Sequence, residues 1–146
     1  MRHDAYSDEY LREVLTSART VAVLGASPRP DRPSHRVMAF LQRCGYRTIP
    51  VNPNAAAEEI LGEHCYAALA EVPEKIDMVD VFRRSSAVAA AVDEAIAAGA
   101  KIVWLQLGLR DDRAAARAEA KGLKIVMNRC PAIEIPRLGL PSRTRP

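Results

Sequence analysis

Residues 21–34, VAVLGASPRPDRPS, hold the densest chemistry in the chain. A short apolar run, Val21 through Leu24, stops at Gly25-Ala26-Ser27, and a loop rich in proline and arginine leads to a helix-start signal at Ser34. Backbone N–H groups in such a turn, and at the start of the helix behind it, converge on one spot and hold an anion, commonly a phosphate. A glycine at the strand end lets the backbone come close to the ligand, because no Cβ intervenes. Arg29, Arg32 and Arg36 outweigh the single acid of the segment, Asp31. The segment reads as a seat for a multiply anionic, nucleotide-like ligand. Ser34 is expected to cap its helix, a role compatible with anion binding because both use the same helix end. Arg29 and Arg32 lie in a polar loop, where ligand contact and plain solvation are both open.

Other candidates are sparser. Cys130, in Asn128-Arg129-Cys130-Pro131, follows an apolar run and adjoins an arginine whose charge would favour the thiolate. It reads either as a thiol able to form a mixed disulfide or as a small residue before a proline turn. Asp80 falls inside an apolar run, where a buried carboxyl must be paired or hydrogen-bonded. Asp77 is expected just before that strand. Trp104 reads as core, with Gln106 two residues on sharing its face. Of Arg83 and Arg84, one is expected to be solvated. His35 reads as exposed, and His3 and His64 sit in segments without a partner pattern, so no metal site is expected. No nucleophile–base pair or carboxylate dyad stands out. Of the G-x-G-x-x-G fingerprint only Gly25 is present, and Asn52-Pro53 stands where a ribose-binding acid would end the second strand. That disfavours a nicotinamide cofactor and permits a ribose phosphate. No G-K-[ST] occurs, so triphosphate hydrolysis has no support.

These residues need a scaffold, and the hydrophobic pattern supplies one. Residues 7–18 form an opening helix, with Ser7 as cap and Leu11, Val14 and Leu15 as its apolar stripe. Strands follow at 20–24, 46–51, 78–82, 102–107 and 123–127. Helices stand at 34–44 (Val37, Met38 and Leu41 inward, Gly45 past the end), from Ser85 or Ser86 to 98, and from Asp111 or Asp112 to 121. Residues 54–73 resist assignment, apart from a turn at 60–63 and a helical turn at 67–71. Residues 132–146 trail off through prolines and arginines, with 138–146 as a frayed tail. The alternation predicts an α/β fold: a single Rossmann-like three-layer domain spanning 1–146, with a five-stranded parallel sheet and helices on both faces. Its ligand crevice lies beyond the C-terminal strand ends, where the loops at 25–34, 52–54, 82–86, 106–110 and 128–131 gather.

Composition bounds the rest. With 146 residues, 49% hydrophobic and only 5% aromatic, the chain fits one domain with an aliphatic core. A formal charge of +3 is too small to point to nucleic acid. Only four of the 21 basic residues are lysines, so any single arginine is weak evidence of function. The three scattered cysteines suggest neither a disulfide framework nor zinc. No stretch suits a membrane span, the N-terminus lacks a secretory pattern, and a cytoplasmic location is expected.

In order, VAVLGASPRPDRPSHRV, IPVNP, ILGEHCYAAL, VDVFRRS, KIVWLQLG and VMNRCPAIEIPRL cover nearly the whole chain. This set resembles the stand-alone coenzyme A-binding proteins, whose fold is similar to the N-terminal domain of the succinyl-CoA synthetase α subunit. The resemblance implies coenzyme A across the strand ends. Gly25, Ala26 and Ser27 would lie under the pyrophosphate, and Arg32, Ser34 and Arg36 would hold the phosphates. Asn52 and Pro53 would border the adenosine. Val81, Phe82 and Arg83 would line the opposite wall, with Val88 under the adenine and Gln106 nearer the pantetheine arm. The synthetases carry a lysine just after the proline that ends their second strand. Asn54 and Ala55 follow Pro53 here, which leaves that phosphate contact without its residue. The phosphorylated histidine of the synthetases belongs to a second domain that a chain of this length is too short to hold. The resemblance thus implies binding of coenzyme A or an acyl-CoA, a small-molecule partner, and not ligase chemistry. Two alternatives stay open: a redox or metabolite sensor acting through Cys130, and a small acyl-CoA or NAD(P)-dependent enzyme using Asp80, Gln106 or Cys130.

Overall fold

The computed structural model describes residues 1–143. Along the chain run α1 (Asp8–Ser17), β1 (Thr20–Leu24), α2 (Pro33–Arg43), β2 (Arg47–Val51), the short β3 (Glu59–Ile60) and β4 (Glu63–His64), β5 (Met78–Val81), α3 (Val88–Ala97), β6 (Ile102–Leu105), α4 (Asp112–Ala120), β7 (Lys124–Val126) and α5 (Pro131–Arg137). Five strands form one parallel sheet in the order β2-β1-β5-β6-β7. The predicted α/β three-layer architecture is therefore the observed one. The order reverses between β1 and β5, so the carboxyl ends of those two strands open a crevice.

Strand parity sorts the core into two layers. Ala22, Leu24, Val79, Val81, Val103, Leu105 and Ile125 face α3 and α4. Val21, Met78, Ile102, Trp104 and Val126 face α1, α2 and α5. Both faces of the strands are covered, which explains their unbroken apolar runs. Asp77 precedes β5 and accepts from Arg19 N and Thr20 N at 2.9 and 3.0 Å, tying the start of β1 to β5. Edge strand β2 tolerates Pro50 because its outer side needs few amide donors, and the Pro50 carbonyl accepts from Tyr66 N at 3.1 Å.

Several local expectations need correction. Helix α2 begins at Pro33 with Arg32 at the cap position and no capping side chain, so Ser34 is not its cap. Pro33 takes the first helical position, where its missing N–H costs nothing and its φ is preset. Neither Ser85 nor Ser86 caps α3; a 3-10 turn at Ser85–Ala87 leads into it instead. The turn at 60–63 is the connection of a β3–β4 hairpin, with positive φ at both Leu61 and Gly62. Asp111, not Asp112, caps α4 by accepting from Ala114 N at 3.0 Å. His3 has partners after all. It is buried, with Nδ1 2.7 Å from Tyr6 Oη and Nε2 3.1 Å from Glu119 Oε1. Tyr6 Oη accepts from Met127 N and Tyr10 Oη donates to the Ile125 carbonyl, so the N-terminal arm covers the β7 edge. Burial pushes the Tyr10 hydroxyl up to about 12.

The C-terminal region departs most from expectation. Residues 131–137 form a helix, again opened by a proline at its first position. Residues 138–143 are not frayed. Arg143 N donates to the Cys44 carbonyl at 2.8 Å, and its guanidinium lies 4.7 Å over the Tyr46 ring. The same guanidinium donates to the carbonyls of Leu15 (2.9 Å), Thr16 and Ala18, which α1 leaves open at its C-terminus. Gly45 makes this approach possible, since a Cβ there would meet the Arg143 carbonyl oxygen at 2.2 Å. The last three positions of the expected tail, 144–146, lie outside the described residues. Arg143→Ala strips three carbonyls of a cationic donor and should cost about 1–2 kcal/mol in urea denaturation.

Candidate functional site

A cavity of about 960 Å³ opens at the strand-order reversal. Its near wall is the loop leaving β1. Gly25 has φ +95° and donates its N–H to the Val51 carbonyl at 2.8 Å, while Phe82 N donates to the Leu24 carbonyl at 2.8 Å. The chain therefore bends sharply directly over β5. A Cβ at Gly25 would sit 2.1 Å from the Phe82 carbonyl oxygen. Beyond the bend, Ser27 N donates to Ser34 Oγ at 3.1 Å, and Arg29 N donates to Ser27 Oγ at 3.1 Å. The buried Ser34 hydroxyl thus folds the loop onto the first turn of α2 instead of capping that helix.

The cavity lining mixes two chemistries. Ser27, Arg32, Ser34, Arg36, Arg43 and Arg83 are its polar and cationic members. Arg36 donates to the Asp31 carbonyl at 2.8 Å, and Arg29 pairs with the Asp31 carboxylate at 3.0 Å. Arg83 pairs with Glu94 of α3 at 3.5 Å, and Arg84 is the exposed member of that couple. Among the described residues, Arg32, Arg36 and Arg43 face no carboxylate within ion-pair distance. Val37 and Phe40 of α2, Leu107, Leu109 and Ala132 are its apolar members, with Gln106 and Cys130 also in the lining, and the Arg43 guanidinium lies 5.7 Å over the Phe40 ring.

Eight of the thirteen expected residues line this space: Gly25, Ser27, Arg32, Ser34, Arg36, Phe82, Arg83 and Gln106. The other five do not. Ala26 is buried against Val23 and Met38 under the loop. Asn52 is a latch, donating from Nδ2 to the Ala26 carbonyl at 2.8 Å and accepting from Asn54 N at 3.0 Å. Pro53 starts an exposed 3-10 turn beyond the cavity. Val81 and Val88 pack in the α3–α4 layer on the far side of the sheet. Sequence reasoning missed Phe40 and Arg43. The signal was their spacing of four and seven residues from Arg36, which puts all three on one helical face. Leu107 and Leu109 lie in the 106–110 loop expected at the crevice, although neither residue type singled itself out.

The loop after β7, which brings Cys130 to the cavity lining, is held in place by its neighbours. Asn128 has φ +58° and accepts from Gly108 N through Oδ1 at 2.7 Å. Arg129 N donates to the Leu105 carbonyl at 3.3 Å, and the Arg129 carbonyl accepts from Trp104 Nε1 at 2.8 Å. The Arg129 guanidinium is engaged elsewhere, over the Tyr6 ring at 5.2 Å.

Asp80 lies below the cavity floor, in register with Val23 and Trp104. It is fully buried, and neither oxygen has a hydrogen-bond partner. Burial pushes its carboxyl well above the usual range, favouring the neutral form. Gln106 Oε1, on the same face one strand over, is also buried without a partner.

Two substitutions read this geometry. Gly25→Ala forces a methyl into the Phe82 carbonyl at a left-handed φ and should cost on the order of 3 kcal/mol in thermal or urea denaturation. Asp80 binds its proton more tightly when folded than when unfolded. Its favourable contribution is therefore complete below the unfolded carboxylate range and is lost as pH rises from about 4 toward the folded value. The Tm of Asp80→Asn, measured against the parent chain, should improve steadily from pH 4 to 7. A constant difference would contradict the buried neutral acid.

Comparison with known proteins meets this geometry from outside. A Thermus thermophilus protein designated cell-free ID.343 is 40% identical, superposes with a TM-score of 0.86, and is matched over 91% of this chain and 99% of that one. An uncharacterized protein of Bacillus subtilis, YneT, is 38% identical over 120 residues, 82% of this chain and 87% of its own. An ADP-forming acetate–CoA ligase of Archaeoglobus fulgidus is 29% identical over 128 residues, 81% of this chain but only 18% of the ligase. The family model described as CoA binding domain matches residues 19–136, from the start of β1 through α5, so the chain belongs to the CoA binding domain family.

Proposed function

We propose that the chain binds coenzyme A or an acyl-CoA in the cavity between β1 and β5, as a binding protein without ligase chemistry of its own. The observation that carries this reading is one cavity lined both by arginines (Arg32, Arg36, Arg43 and Arg83) and by apolar side chains (Val37, Phe40, Leu107 and Leu109). Coenzyme A calls for both kinds of lining: phosphates at one end, a neutral thiol-bearing arm at the other. The 3′-phosphate and diphosphate would meet Arg32, Arg36 and Arg43, with Ser27 and the first turn of α2 offering hydrogen bonds. The pantetheine arm fits along Phe40, Leu109 and Gln106. The bend at Gly25 supports the same assignment, because it brings backbone rather than side chain to the anion. Family membership supports the ligand class, and the acetate–CoA ligase relative contains a comparable stretch within a longer protein. A cytoplasmic setting accords with three cysteines that stand as free thiols.

Coenzyme A added at a hundred times its Kd should stabilise the folded chain by about 2.7 kcal/mol, seen as a rise in Tm. Arg32→Ala with Arg36→Ala should weaken binding at least tenfold by calorimetry, with little change in the Tm of the free protein. No Tm shift at millimolar coenzyme would sink the reading.

A further inference from the structure

The peptide unit that joins Ala26 to Ser27 is held at both ends by side chains from different elements. Its carbonyl, on Ala26, accepts from Asn52 Nδ2 at 2.8 Å, and its N–H, on Ser27, donates to Ser34 Oγ at 3.1 Å. Asn52 stands directly after β2, and Ser34 is in the first turn of α2. A trans peptide points its carbonyl and its N–H in opposite directions, so the two bonds together fix which way the plane faces. The N–H faces Ser34, which lines the cavity, and the carbonyl faces Asn52, which does not.

The grip from the β2 side is itself anchored. Asn52 N donates to the Tyr66 carbonyl at 2.9 Å, and Asn52 Oδ1 accepts from Asn54 N at 3.0 Å. With the oxygen engaged there, the NH2 group is what remains for Ala26. The reverse orientation would set acceptor against acceptor and donor against donor. One residue earlier, Gly25 N donates to the Val51 carbonyl at 2.8 Å, so consecutive bonds stitch the loop to the end of β2. An ionised aspartate at position 52, the residue type that would hold a ribose diol, has no hydrogen to give to Ala26. On the α2 side, the Ser34 hydroxyl has accepted from Ser27 N and still has its own hydrogen to give. Arg32 and Arg36 share the cavity lining with it.

From this geometry we infer that Asn52 is a positioning residue for the anionic part of the ligand, although it is absent from the cavity lining. The inference rests on the cavity assignment proposed above. Turning the Ala26–Ser27 plane over would present a carbonyl oxygen on the side of Ser34 and the arginines. An oxygen acceptor there repels a phosphate. It would also capture the Ser34 hydroxyl hydrogen, which would then be lost to the ligand. Asn52 opposes that turn by holding the carbonyl on the β2 side. Its amide thus acts on the ligand through Ala26, Ser27 and Ser34, and the polarity of the anion seat is set one layer behind the cavity wall.

Amide hydrogen exchange followed by NMR, together with calorimetry of coenzyme A binding, tests this on the full chain. In the free parent chain, corrected for intrinsic rates, the Ser27 amide should exchange at least about tenfold more slowly than the unbonded Asp31 amide. Asn52→Ala should speed Ser27 exchange by about tenfold, leave the Val23 and Leu24 amides of β1 protected, and weaken coenzyme A binding by about tenfold. Asn52→Asp keeps an acceptor for Asn54 N and should speed Ser27 exchange as much, because the lost donor is what matters. Added to Ser34→Ala, Asn52→Ala should weaken binding by less than about threefold more, since both groups act on one peptide. A Ser27 amide as open as that of Asp31 in the parent chain would overturn the inference, and that comparison holds even where a variant fails to fold. Parent-like affinity in Asn52→Ala, lost affinity with unchanged Ser27 exchange, or fully additive losses in the double variant would overturn it as well. Binding by the parent and by Asn52→Ala alike rejects the positioning role and leaves the cavity assignment standing. No binding by the parent chain rejects both.

Discussion

Where β1 ends, the backbone of Gly25 lies so close to β5 that a methyl group would meet the Phe82 carbonyl oxygen at 2.1 Å. That approach sets the geometry of the site. It keeps β1 and β5 side by side to their last residues, with Phe82 N reaching the Leu24 carbonyl, and then turns the chain away at once. The loop beyond has to arch back to α2, and the Ser27–Ser34 hydrogen bond fixes how far. The near wall of the cavity is thus the direct product of one missing Cβ at a strand-order reversal.

The polar groups around this point follow an economy of their own. Most loop donors and acceptors are satisfied locally: Asn52 latches Ala26, Asn128 takes Gly108 N, and the Arg129 carbonyl takes the Trp104 indole. The unsatisfied buried side-chain atoms among the described residues belong to Asp80 and Gln106, which share one face of adjacent strands at and beneath the cavity floor. Aliphatic residues at both positions would suit a sheet core better. The cost is carried in the part of the sheet nearest the cavity, whose lining includes Gln106.

The sequence made the architecture legible where physics is local. Apolar runs marked β1 at its observed bounds because both of its faces are covered. Ser7 was readable as a cap because its acceptor role concerns Tyr10, three residues away. Ser34 was misread because Pro33 had already claimed the start of α2 and the hydroxyl serves the loop instead. Helix α5 was hidden by Pro131 and Pro136, which look like breakers until the first stands where no N–H is needed. The pinning of Arg143 to Leu15 and of His3 to Glu119 joins positions more than a hundred residues apart, and no pattern in the chain announces it. Of the contiguous stretch from Gly25 to Arg36, Gly25, Ser27, Arg32, Ser34 and Arg36 line the cavity, because a strand end and the helix start behind it are local features. Val81 and Val88 were misplaced because strand parity and helix phase, not proximity in sequence, decide which side of a sheet a residue serves.

The chain has one tryptophan, and its indole N–H is tied to the carbonyl of the residue preceding Cys130. Trp104 is fully buried, with Asp80 beside it in register on β5, so its fluorescence belongs to a dry setting. A displacement of the 128–130 loop would stretch that tether and change the polarity felt by the excited ring. The protein therefore carries a built-in optical probe beside its cavity, and stopped-flow emission could follow events there without any attached dye.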